Sequence, residues 1–239
     1  MRVQGPETSP DRKSQEIPTS TDPITFTAEQ ILEHQRAFQE ASFEFQTTNP
    51  DAAFLYARYM EAHYDAQPHE RNAVIVEAVP FLYRAISETH ILDLLRHFWR
   101  CHHPLFRATE REHMAEVTAM LDAVRNTFLN ELPPAERQLY LNEEQRVQTT
   151  YRICRDLAAL GKVAPGVFFL SASDLAIRLG VDSQQAYRAL QRLRTLGILR
   201  IEKPGEPRAK GVSGVATTYR WTLPLPEPTT PAAEPAPAH

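Results

Sequence analysis

Residues 171–221 read SASDLAIRLG (171–180), VDSQQAYRALQRLRTLGIL (181–199) and RIEKPGEPRAKGVSGVATTYRW (200–221). Ser171 with Asp174, and Asp182 with Gln185, each place a capping oxygen three residues before a polar partner, the signature of a helix start. Two such caps eleven residues apart bracket a short helix, Ala172 to Leu179. Gly180 then supplies the left-handed backbone that stops a helix and turns the chain sharply. Val181 is the apolar residue of the turn. Leu175, Ala176 and Leu179 form the inner side of the first helix, with the small Ala176 where two axes approach closely. Beyond Gly197, Ile198 to Ile201 alternates as a half-buried strand, and Thr217 to Thr222 does so again. The second of these strands sets Tyr219 and Trp221 on one side and Thr218 and Arg220 on the other. Phe168-Phe169-Leu170 is expected to add a third short strand. The stretch is therefore helix, tight turn, helix, strand, basic loop, strand.

The second helix, Ser183 to Leu196, divides cleanly at about 3.6 residues per turn. Ala186, Leu190, Leu193 and Gly197 share one face. Gln184, Arg188, Gln191 and Thr195 lie opposite, with Tyr187 and Arg194 on one shoulder and Gln185 and Arg192 on the other. A solvated helix usually mixes acids with bases, but here no acid follows Asp182. Gln and Arg are the side chains that make paired hydrogen bonds to adenine and guanine edges in the major groove. Ser183 and Gln184 sit where backbone N–H groups can meet a phosphate. The loop between the strands carries Lys203, Arg208 and Lys210 among Gly and Pro, placed to lie along a neighbouring phosphate strand.

Through LAIRLGVDSQQAYRALQRLRTLGIL the segment resembles the winged helix-turn-helix family. With RICRDLAALG and GVFFL added, it is similar to the C-terminal module of replication and primase-type proteins of phages and plasmids. The likeness covers about 75 residues, with a weaker echo in THILDLLRHFWRCHHPLFRATEREH upstream. It implies binding of double-stranded DNA, with the helix at 183–196 in the major groove and the loop at 203–214 as the wing. The chain departs from that pattern in having no D-x-D pair for catalytic metals and no P-loop. Primase and helicase activities are not implied, and no enzyme is expected.

Glycine usage separates this module from the rest. Of eight glycines, seven lie between Gly161 and Gly214, and Pro6 to Leu160 contains none. Such a stretch suits helices. Residues 1–23 read as disordered, polar and proline-bearing. A helix starts near Thr27, whose hydroxyl with Gln30 makes a T-x-x-Q cap. Another follows Asn49-Pro50-Asp51. Two more cover about 69–88 and 89–101, with Pro80 expected to kink or split the first. Over about 108–130, Met114, Val117, Leu121, Val124 and Phe128 make one apolar stripe. That stripe is either a dimerisation seam or a core-facing side, and about two heptads is short for a coiled coil. Pro133-Pro134 ends it, and a further helix is expected to run to Leu160, with Val147, Tyr151, Cys154 and Ala158 on its core face. The fold class is thus mainly α: a helical domain over 24–142, a winged helix-turn-helix over 143–223 and a Pro/Ala-rich disordered tail over 224–239.

Charge divides the same way. Tyr151 to Trp221 holds twelve basic residues against five acidic, a net of +7, whereas the remainder holds 14 against 25, a net of −11. The basic half points to a polyanion, and the acidic half is better suited to protein partners. No apolar run approaches the roughly 18 residues needed to span a bilayer, and the N-terminus lacks the apolar region of a signal peptide. Cys101 and Cys154 have no C-x-x-C partner, which fits a reducing cytoplasm. His97, Cys101, His102, His103 and His113 with Glu110 and Glu112 are the one metal-like cluster. Pro104 interrupts its helix and no second spaced pair completes a tetrahedral site, so no metal and no cofactor are expected. The expected function is a DNA-binding transcription regulator or mobile-element replication accessory factor, with a homodimer left open. The alternative is a protein–protein adaptor that uses both halves for assembly without DNA readout.

Overall fold

In the computed structural model, residues 27–61, 71–161, 164–205 and 215–225 of the 239 are described. These residues form nine α-helices and one three-stranded sheet. The helical half comprises α1 (Ala28–Thr48), α2 (Pro50–Tyr56) with a π-turn after it (Ala57–Glu61), α3 (Arg71–Ala85) and α4 (Glu88–His102). A short 3₁₀ turn (His103–Leu105), α5 (Glu110–Glu131) and α6 (Pro134–Leu141) complete it. There follow α7 (Gln145–Leu160), β1 (Val167–Leu170), α8 (Ala172–Leu179), α9 (Ser183–Thr195), β2 (Leu199–Lys203) and β3 (Thr217–Trp221). No helix among the described residues is long and apolar enough to cross a membrane.

The helix starts follow local chemistry. Asn49 accepts from Ala52 N with Pro50 at the first position, and Ser87 accepts from His90 N. Thr109 and Glu112 exchange hydrogen bonds in a full capping box ahead of α5. The α5 stripe faces inward: Val117, Leu121 and Phe128 are buried, and Met114 and Val124 are half-buried against them. Core packing, not a seam to a second copy, is what covers it.

Several expectations meet a different outcome. Of the kink or split expected at Pro80, the split does not occur, since α3 runs on through it. Proline there leaves the carbonyl of Val76 without an N–H, and Val76 is exposed, where water can serve that oxygen. Where one further helix was expected after Pro133-Pro134 and up to Leu160 there are two, separated at Asn142–Glu144. The break lets α7 turn into the middle of the molecule, where Thr149 through Arg155 are all buried and both its sides meet protein. Gly197 does not join the inner face of α9; it is exposed and caps the helix in the left-handed region.

β3 lies centrally, antiparallel to both β1 and β2, in the order β1-β3-β2. Phe168, Leu170, Leu199, Tyr219 and Trp221 bury one face against α7, where Trp221 meets Tyr151 edge-on at 5.0 Å. Thr218, expected on the open side with Arg220, is buried as well. A single apolar cluster runs from Ala52 to Trp221, so the halves meet directly. At that junction Ser87 N–H donates to the carbonyl of Arg178 (2.9 Å), and His90 Nε2 lies 3.0 Å from that of Ile177. Because a carbonyl can only accept, His90 carries its proton on Nε2. Arg58 and Asp174 add an ion pair at 3.3 Å.

Candidate nucleic-acid interface

The short α8 and the longer α9 are joined by a turn of three residues, Gly180 to Asp182. Gly180 adopts φ +69°, its N–H donates to Ile177, and Val181 N–H reaches back to Ala176. This pair of bonds is the Schellman arrangement, which satisfies the last carbonyls of α8. Asp182 then accepts the N–H of Gln185 at 2.8 Å and starts α9. The C-terminus of α9 repeats the device with Gly197 (φ +74°) and Ile198. Both ends of α9 are therefore capped, by the Asp182 carboxylate and by the Gly197 turn, while Ala186, Ala189, Leu190 and Leu193 lock its inner face on α7 and α8.

The opposite face of α9 is open. Ser183, Gln184, Tyr187, Arg188, Arg192 and Thr195 are exposed, and Gln185, Gln191 and Arg194 are half-buried. Arg188 has no hydrogen bond or ion pair among the described residues. Two of the other polar side chains are engaged with each other: Arg194 Nη1 donates to Gln191 Oε1 at 2.7 Å. Thr195 turns its hydroxyl back to the carbonyl of Gln191. Asp182 already occupies the amide of Gln185, so Ser183 and Gln184 supply the N–H groups at that end.

Arg192 departs most from expectation. Its guanidinium forms a two-pronged fork with Glu143, at 2.7 and 2.9 Å. The fork holds the Glu143 carboxyl below its ordinary range and raises Arg192. In this conformation Arg192 braces α9 against the α6–α7 corner. Nothing local in the sequence marks this pair, because 49 positions separate its members.

The flap is built from β2 and β3. Gly205 lies one residue beyond Pro204 at the end of β2, and a Cβ there would lie 2.5 Å from the carbonyl oxygen of Val215. Only glycine permits that close approach at the root of the loop. Lys203 is exposed beside it. Arg220 forks onto Glu202 at 2.9 Å on both prongs, which lowers the carboxyl of Glu202. Arg200, directly across from Arg220, is exposed on the same strand pair and was not among the expected contacts. Its position after Leu199 in an alternating strand was the signal that could have found it. Arg208 and Lys210 lie outside the described residues, as do residues 1–23 and the tail from 226 onward.

The +7 excess is not all surface charge. Arg152 and Arg178 are buried and serve Tyr83 and Asp174, and Arg155 is buried with the Glu131 carboxylate 4.0 Å away. Arg192 and Arg220 carry their own carboxylates, and Lys162, Arg208 and Lys210 lie outside the described residues. Arg188, Arg194, Arg200 and Lys203 remain as cations with no carboxylate partner among the described residues. All four stand on α9 and β2.

Comparison with protein-family models, curated proteins and solved structures returns no match to this chain.

The histidine cluster follows a different logic. His97 stacks on Phe45 at 4.0 Å and touches Cys101 through sulfur, and His102 faces His34 at 2.9 Å. His113 bonds the carbonyl of Leu95. Burial lowers His97 and His102 to about 4, so both are neutral packing groups between α1 and α4 at neutral pH. Among the described residues, no three or more His, Cys, Asp or Glu side chains are grouped to hold a metal ion.

Proposed function

We propose that residues 145–221 form a winged helix-turn-helix that binds double-stranded DNA, as a transcription regulator or replication accessory factor. α9 lies in the major groove and the β2–β3 flap rests on a phosphate strand. The order α7, β1, α8, α9, β2, β3 with a β1-β3-β2 sheet supports the reading. One observation carries it: a helix fixed at both caps and along its apolar side turns an acid-free Gln/Arg/Tyr face to solvent. Gln184 and Arg188, one turn apart, reach base edges; Ser183, Tyr187, Lys203 and Arg200 reach phosphates. Arg194 with Gln191 acts as a pre-bonded pair, and Arg192 is first a brace.

Binding to randomised duplexes, followed by anisotropy titration of the selected sites, tests this directly. Arg188→Ala costs about 1–3 kcal/mol and relaxes preference at the base it reads. Affinity that does not fall with salt, or no duplex binding at all, refutes the proposal.

The adaptor reading keeps one observation of its own: α1 turns Leu32 and Phe43 outward at 65% and 74% exposure. It requires that Leu32→Ser with Phe43→Ser abolish capture of a protein partner while Arg188→Ala leaves capture intact.

A further inference from the structure

On the side of α7 away from the sheet, a cleft collects charge that the reading head does not use. Arg84 of α3, Arg152 and Arg155 of α7, and Phe128 and Glu131 of α5 line a cavity of ≈ 50 Å³, with Asp156 at its edge. By a similar measure a water needs about 10–15 Å³, so the space takes one compact group of a few atoms, not a sugar or a base.

Arg155 is the informative member. It is 7% exposed, yet its guanidinium is short of partners. The nearest carboxylate oxygen, on Glu131, stands 4.0 Å away, and the Phe128 ring centre is 5.5 Å from its Cζ. Its Nε is buried with no acceptor among the described residues. Glu136 feels the Arg155 charge but accepts its hydrogen bond from Tyr151. Arg152, buried more deeply still, is served: it donates to the Tyr83 carbonyl and Thr149 Oγ1 and lies 3.7 Å over the Tyr83 ring. Buried guanidinium donors are normally satisfied, because a dry, unpaired one is expensive.

The surroundings suit an incoming oxyanion. Arg84 is exposed at the mouth and has no hydrogen bond or ion pair among the described residues. Glu131 stands in the last turn of α5, and its side chain is 44% exposed. Burial pushes the Asp156 carboxyl up, against the opposing charges of Arg84 and Arg178.

We propose that this cleft is a binding site for one tetrahedral oxyanion, a phosphate group, seated on the planar fork of Arg155 with Arg84 closing from the mouth. Arginine suits that geometry because it offers parallel N–H donors to two oxygens. The proposal does not depend on DNA binding.

Thermal unfolding of the full chain, at ionic strength held constant with chloride, tests it. Inorganic phosphate and glycerol 3-phosphate are titrated in separate arms. The expected result is a saturable rise in melting temperature, since a ligand that binds only the folded state stabilises it by mass action. A rise with both probes assigns the site to a phosphate group on a larger molecule; a rise with inorganic phosphate alone assigns it to the free ion. Arg84→Ala, at an exposed position, and Arg155→Leu each abolish the rise. In chloride alone Arg155→Leu melts no lower than the parent, because it removes an under-paired buried charge. No saturable rise, or a rise that survives in Arg84→Ala, overturns the proposal. A lower melting point of Arg155→Leu in chloride overturns it too, by assigning Arg155 a purely structural role.

Discussion

Replacing Gly180 by alanine perturbs the turn between α8 and α9 in two separable ways. The position has φ +69°, and holding a residue with a Cβ in that region costs about 1–2 kcal/mol. The new methyl would also stand 2.9 Å from Nε2 and 3.1 Å from Cε1 of His90. His90 cannot easily yield: it is 5% exposed, and its Nε2 proton is committed to the Ile177 carbonyl at 3.0 Å. Displacing the ring forfeits that bond, about 1 kcal/mol, and strains a packed junction by roughly another 1 kcal/mol. Gly180→Ala is therefore expected to cost about 3 kcal/mol. Gly197→Ala is the internal control, with φ +74° and nothing within 4 Å of its would-be Cβ, and should cost only about 1 kcal/mol. Urea unfolding followed by tryptophan fluorescence and circular dichroism measures both. In a His90→Ala background the excess for Gly180→Ala should disappear, a coupling of about 2 kcal/mol. Equal costs for the two glycines, or additivity with His90→Ala, would show that α4 does not press on this turn.

Glu143→Gln removes the carboxylate that holds Arg192, so duplex affinity should rise and its salt slope steepen by about 0.9; isothermal titration at several salt concentrations reads this, and unchanged affinity sinks it. Lys203→Ala should weaken all duplex sequences alike and reduce that slope by about 0.9; a change in sequence preference would assign it to bases instead. His97 titrates near 4 when folded and near 6.5 when unfolded. The unfolded chain thus takes up a proton first as pH falls, and stability is lost between about pH 6.5 and 4 and levels off below. The shift corresponds to about 3 kcal/mol at this buried site, with His102 acting in the same direction. Urea midpoints at a series of pH values should show the loss, and His97→Leu should flatten it; an unchanged pH profile in that variant counts against the assignment.

What the sequence by itself determined is what a few neighbouring residues can settle. Ser171, Gly180, Asp182 and Gly197 dictate caps and turns because each acts on backbone groups within five positions, so α8, its turn and α9 were legible. The inward side of β3, Tyr219 and Trp221, and the α5 stripe were legible for the same reason, a local period, but the burial of Thr218 on the other side of the strand was not. Charge counting was not enough, because a residue's letter does not say where its head group lies. Arg152, Arg155 and Arg178 counted towards the +7 excess, and the fold places them inside. Arg192 read as a free contact, yet Glu143 holds it from 49 positions away. The break before α7 was equally hidden, since only the packing of α3, α5, α9 and the sheet around that helix requires it. Partners brought together by chain closure leave no spacing signal, and in this molecule the tertiary structure alone decided which arginines face solvent.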